Sequence, residues 1–176
     1  MEYSFTTPLK EEELQKLRAG DRVLLSGTIY TARDAAHERM TRLFKEGTPF
    51  PIDLATAVIY YAGPCPAKPG EIIGSCGPTT AGRMDAYTPT LIENGLRVMI
   101  GKGERSAEVK KSIVCNKAVY LGAIGGAGAL IARCIKSAEV VAYEDLGTEA
   151  IRKLSVENLP LTVIVDSTGT DLYSLK

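Results

Sequence analysis

The stretch DRVLLSGTIYTARDAAHERMTRLFKEG (residues 21–47) decides the fold class. Residues 21–30 have the apolar, β-branched character of a strand, and residues 32–47 read as a helix closed by Gly47. A strand that runs directly into a helix is the unit of α/β architecture. Outward from this unit the alternation continues. Residues 9–20 predict a short helix after Thr7-Pro8, with Leu9, Leu14 and Leu17 as its buried stripe. Residues 55–63 read as a core strand, 71–77 as a short strand, 87–93 as a helix and 96–103 as a strand. The pattern then gives a helix over 104–117, a strand from 117, a small-residue helix over 125–137 and strands over 138–145, 153–157 and 161–166.

The steps from 55–61 to 71–75 and from 153–157 to 161–166 are too short for a crossover helix. The expected sheet is therefore mixed, with antiparallel parts and flanking helices, in one domain spanning 1–176. Between the first two of these strands, Gly63-Pro64-Cys65-Pro66-Ala67-Lys68-Pro69-Gly70 is read as a loop, because its prolines fix φ and lack donors.

Composition excludes several roles. The chain carries 21 Lys+Arg against 21 Asp+Glu, so no broad basic face for nucleic acid is expected. No run of 18 apolar residues marks a membrane span, and the acidic start is unlike a secretory leader. A cytoplasmic protein is the expectation. Cys65, Cys76, Cys115 and Cys134 show no CxxC spacing, and His37 is the only histidine. A zinc or iron–sulfur site built by this chain alone is not expected; the cysteines read as small apolar side chains.

Chemistry concentrates where strands end. Gly77-Pro78-Thr79-Thr80-Ala81-Gly82-Arg83-Met84-Asp85 sets two hydroxyls and a guanidinium beside an expected helix start, which suits an anion. Arg33-Asp34 and Lys102 follow other strands, so three cations from three loops could face one polyanion. The alternative is that each is a solvated surface charge. His37, one helical turn after Arg33, is a candidate acid or base, or a structural hydrogen-bonder. Thr79 needs a neighbouring base or a strong positive field to move a proton; Asp85 is the adjacent carboxylate, unless it pairs with Arg83 or caps the helix. The glycines of 122–129 do not complete a nucleotide fingerprint and read as close helix–strand packing.

Five ordered motifs carry a resemblance: Ser26–His37, Tyr60–Pro64, Gly77–Asp85, Gly101-Lys102-Gly103-Glu104-Arg105-Ser106 and Glu144-Asp145-Leu146-Gly147. The chain resembles the β subunit, or C-terminal domain, of class I iron–sulfur-dependent fumarate hydratases; L-tartrate dehydratase β subunits are similar. The resemblance implies a "swivelling" β/β/α fold and the reversible hydration of fumarate to L-malate. It also implies an α subunit holding a 4Fe–4S cluster, in an α2β2 assembly, with this chain inactive alone. By the same resemblance Arg33, Arg83 and Lys102 bind substrate carboxylates, and Thr79 takes the proton, activated by a carboxylate of the α subunit. Asp34, His37 and Asp85 are candidate supports, and no metal ligand is expected here. L-Tartrate dehydratase and mesaconate hydratase are the enzymatic alternatives. A non-catalytic dicarboxylate-binding or assembly module, and a nucleotide-binding protein resting on the 122–129 glycines, are the alternatives of other classes.

Overall fold

The computed structural model describes residues 1–124 and 127–175. Its elements in chain order are β1 (Glu2–Thr6), α1 (Glu11–Lys16), β2 (Arg22–Thr31), α2 (Asp34–Lys45), β3 (Val58–Tyr60), α3 (Thr88–Glu93), β4 (Val98–Gly101), α4 (Ala107–Asn116), β5 (Val119–Gly122), α5 (Gly128–Cys134), β6 (Ile135–Ala142) and β7 (Ile151–Val165). Turns of 3-10 helix cover Ala81–Met84, Glu144–Glu149 and Leu172–Ser174.

The two longest strands organise the sheet. β2 and β7 run antiparallel along nearly their whole length, from Arg22↔Thr162 to Thr31↔Arg152. β2 also pairs in parallel with β1 through residues 22–26 and with β3 through Tyr30 and Thr31. β7 likewise pairs with β6 near its start and β5 near its end. β3, β4 and β5 are successive parallel neighbours. The order β2-β3-β4-β5-β7 returns to β2, a closed five-stranded ring with β1 and β6 attached outside it. The fold is thus mixed α/β, as expected.

Alternation along the strands makes two cores. Val23, Leu25, Ile29, Val58, Tyr60, Val98, Ile100, Val119, Leu121 and Val163 belong to one cluster, inside the ring. Ile59, Met99, Tyr120 and Val165, the intervening residues, pack with Ala36, Met40, Leu91, Ile92, Val109 and Ile113 of the helices. Strands covered on both faces read as continuous apolar runs, which is why β3 to β5 were visible in sequence.

Four expectations change. Residues 71–77 are not a strand; Cys65 and Gly74–Ser75 bond across the loop instead, and Cys76 N–H donates to Gly128 O at 3.2 Å. The strands expected at 153–157 and 161–166 are one strand, bent where Asn158 takes φ of 50°. α5 stops at Cys134, and Ile135 already pairs with Val156. β1, at the very start, carried no strand signal. Of the glycines read as packing residues, Gly125 and Gly126 lie outside the described residues. Gly128 is closely packed, but against the 75–77 loop rather than a strand: a Cβ there would stand 3.0 Å from the Gly77 nitrogen and overlap Ser75 Oγ. Among the described residues no helix is long and apolar enough to cross a membrane.

Candidate active site at the carboxyl ends of the parallel strands

β2, β3 and β4 run parallel and side by side, so their carboxyl ends open on one edge of the ring. Arg33 follows β2, the 61–63 segment follows β3 and Lys102 follows β4. Residues 79–81 fit between the last two ends. Thr79 N–H donates to Tyr61 O at 2.6 Å; Lys102 N–H donates to Thr79 O at 3.3 Å, and Ala81 N–H donates to Lys102 O at 2.8 Å. Thr80 and Lys102 thereby form a parallel bridge. Thr79 is buried at this joint, whereas Lys102 is exposed.

The expected helix start after Thr79 is a single 3-10 turn, Ala81–Met84. So short an element has no developed macrodipole, and charge at this edge comes from side chains. Arg83 extends from that turn to α2, where its Nε–H donates to Asp34 Oδ2 at 2.9 Å. Arg83 remains half-exposed, and no other side-chain bond engages its guanidinium among the described residues. Arg33 lies on the other side of Asp34, with Nε 3.6 Å from Oδ1. Its arm runs across Gly63, where a Cβ would stand 2.9 Å from Arg33 Cδ and 3.0 Å from Thr148 O. A side chain at 63 would therefore displace the Arg33 arm or the 144–149 turn. Arg33, Asp34 and Arg83 are in direct contact; Thr79 and Lys102 are joined through backbone.

His37 is fully buried. Its Nδ1 sits 2.9 Å from Arg33 O, and a carbonyl only accepts, so Nδ1 carries the proton. Burial lowers its pKa to about 4, outweighing the opposing effect of the Arg33 carbonyl. A neutral imidazole closed off from solvent steadies Arg33, the residue before α2, through its carbonyl. Its Nε2 has no hydrogen-bond partner among the described residues.

Asp85 also differs from expectation. It neither pairs with Arg83 nor caps its own turn. Oδ1 accepts from Arg105 Nε at 2.8 Å, and Oδ2 accepts from Ser106 N–H at 2.7 Å, at the start of α4. Both oxygens thus bond residues at the start of α4.

The sequence profile of the fumarase C-terminus family matches residues 2–176. The chain belongs to this family. It is 41% identical over 170 residues to the aerobic class I fumarate hydratase of Escherichia coli, covering 94% of this chain and 31% of that protein. Fumarate hydratase 2 of Leishmania major is 40% identical over 165 residues, covering 93% of this chain and 29% of that protein. This chain thus spans under a third of the length of those fumarate hydratases. The putative L(+)-tartrate dehydratase subunit beta of Methanocaldococcus jannaschii is 38% identical, with 98% of this chain and 91% of that protein covered.

Within this fumarase C-terminus fold, the fit to an iron–sulfur cluster can be tested on the donors present. Among the described residues, no three His, Cys, Asp or Glu side chains group to hold a metal ion. All four cysteines are free thiols. Cys76 alone is buried, and burial pushes its thiol up to about 12; Cys65 and Cys115 are exposed rather than packed inside. The residues present do not fit a cluster.

Two residues of consequence were missed by sequence reasoning. Arg105, inside the Lys102 motif, is buried between Tyr61 and Tyr120, with its guanidinium carbon 5.2 and 4.8 Å from their ring centres. It donates to Asp85, Tyr61 Oη and Thr88 Oγ1. Glu149 accepts from Ala35 N–H at 3.1 Å and so caps α2 from a distant turn. The Glu144–Gly147 motif is tied to the same helix by a two-pronged Arg39–Asp145 pair at 2.7 Å. Neither partner set is local in sequence, so no spacing signal could have found them.

Proposed function

We propose that this chain is the substrate-clamping and proton-transferring β component of a hydro-lyase that interconverts fumarate and L-malate. The observation that carries the reading is the Arg33–Asp34–Arg83 cluster beside Thr79 and Lys102 at one sheet edge, in a chain of the fumarase C-terminus family. A proton leaving the carbon next to a carboxylate builds negative charge on that carboxylate. Fixed guanidinium and ammonium donors stabilise this charge most in the transition state. Arg33, Arg83 and Lys102 hold the carboxylates, and the Thr79 hydroxyl moves the proton. Asp85 being bonded to Arg105 and Ser106, the base for Thr79 would come from a partner α subunit, which would also hold the 4Fe–4S cluster, and that cluster would supply Lewis acidity. The chain alone is inactive on this reading, and an α2β2 complex is the working form.

The 38% identity to a putative tartrate dehydratase β subunit favours a second reading, in which the same clamp holds L-tartrate. Both substrates present two carboxylates, so the clamp serves either. The test is co-expression with an α partner under anaerobic conditions and measurement of kcat/KM on fumarate, L-tartrate and mesaconate. Turnover of fumarate above the other two is expected. No turnover of any of the three by a cluster-loaded complex would overturn the reading.

A further inference from the structure

Two arginines at this edge share one carboxylate. Asp34 Oδ2 takes the Arg83 Nε–H at 2.9 Å, across 49 residues of chain. Its Oδ1 faces Arg33 Nε at 3.6 Å. That oxygen and that nitrogen are both buried, and neither has a hydrogen-bond partner among the described residues. Buried polar atoms are nearly always paired, because an unpaired one loses its hydration for nothing. These two are less than about 1 Å short of the usual N–H···O distance. A carboxylate at the first position of a helix ordinarily serves the free N–H groups there. Asp34 is spared part of that task, because Glu149 already accepts from Ala35 N–H.

We infer that Asp34 is a positioning residue that holds both guanidiniums by their Nε edges and turns their Nη ends toward a substrate dianion. The inference rests on the dicarboxylate reading above. A guanidinium held at Nε still offers its Nη pair for a two-pronged bond to carboxylate. The contact to Arg83 is made in the free chain, and the contact to Arg33 closes when a dianion draws that arm in. Asp34 also sets the charge. At this edge Arg33, Arg83 and Lys102 stand against the carboxylates of Asp34 and Glu149, so Asp34 trims an excess of positive charge that attracts anions. The net field governs how strongly anions are attracted; the Nε contacts govern how they are oriented. Removing Asp34 therefore strengthens the first and weakens the second.

The test is Asp34→Asn, close in shape but uncharged, in the complex with the α partner. We expect kcat to fall about 10- to 30-fold with KM unchanged or lower, because orientation is lost while attraction is not. A tricarboxylate inhibitor should bind more tightly than it does to wild type. Asp34→Asn combined with Arg83→Lys should cost much less than the product of the two single losses, since both act through one contact. A kcat within twofold of wild type, a KM that rises at constant kcat, or fully multiplicative effects would overturn the inference. A second readout needs no turnover. The Arg83 Nε–H resonance in the wild-type chain should exchange slowly with water and lose that protection in Asp34→Asn; exchange as fast as an exposed arginine in wild type would overturn the bridge. A wild-type complex inactive on every dicarboxylate would instead sink the proposed function, while the resonance still decides the Asp34 contact.

Discussion

Arg83 and Arg105 make the same bond, Nε to an aspartate oxygen, at 2.9 and 2.8 Å. They differ in what is left over. Arg105 is buried and bonds protein through all three guanidinium nitrogens, with Asp85 at Nε, Tyr61 Oη at Nη1 and Thr88 Oγ1 at Nη2, and it lies near the rings of Tyr61 and Tyr120. Arg83, with its side chain 53% exposed, uses only Nε. Burial alone would lower the Arg105 pKa, but Tyr61 and Asp85 more than offset it, so the charge stays. A guanidinium bonded to protein through all three nitrogens is part of the frame; one held by a single edge is equipped to hold something else. Arg83 and Asp85, the partner of Arg105, stand two positions apart at one turn, so chain position says nothing about which arginine belongs to the frame.

Lysine at each position gives the sharpest break. Arg105→Lys keeps the charge but cannot reach three partners, leaving the Tyr61 and Thr88 hydroxyls without their buried donor. We expect a loss of about 3 kcal/mol in unfolding free energy, read by urea denaturation. Arg83→Lys should change stability by less than about 0.5 kcal/mol, because the pair is surface-exposed. It should lower kcat/KM in the complex about 100-fold, because the two-pronged donor is gone. Equal stability losses at the two sites would erase the distinction.

The sequence carried the exposed half of this comparison better than the buried half. Arg33, Arg83 and Lys102 follow strands or glycine turns, where local pattern is informative. Arg105 depends on Tyr61, Asp85, Thr88 and Tyr120, which only closure of the ring brings together. The β3–β5 strands were legible because both faces are apolar. β1 was not, because its residues alternate between exposed and half-buried. The false strand at 71–77 has the same origin: Ile72 and Ile73 look like core, yet Ile72 is exposed and the backbone bonds across its own loop. Closure itself, a ring sealed by β2 and β7, rests on a pairing that spans nearly the whole chain and leaves no local trace.

His37 tests the frame under the exposed pair. Its folded pKa of about 4 lies below the ordinary histidine value of 6.5. Between those values the unfolded chain binds a proton that the folded chain refuses, so stability rises with pH there. It is complete above 6.5 and is lost progressively as pH falls toward 4, by about 3 kcal/mol in all. His37→Gln should remove that part of the pH dependence, measured as unfolding free energy at pH 7, 5.5 and 4.5. An unchanged slope between pH 6.5 and 4.5 would mean that His37 titrates as an exposed side chain and that the Arg33 carbonyl is held by something else.

The smallest expected effect asks whether the buried arginine depends on the helix that follows it. Ser106 caps α4, with Oγ accepting from Val109 N–H at 3.2 Å, while its own N–H is taken by Asp85. Ser106→Ala removes the first bond and keeps the second, because the second belongs to the backbone. The loss should be about 1 kcal/mol, with kcat unchanged. Asp85 and Arg105 then stay paired, and the frame holds independently of the cap. A loss as large as that of Arg105→Lys would show instead that the first turn of α4 keeps Asp85 in place, and that the buried pair and the cap are one unit.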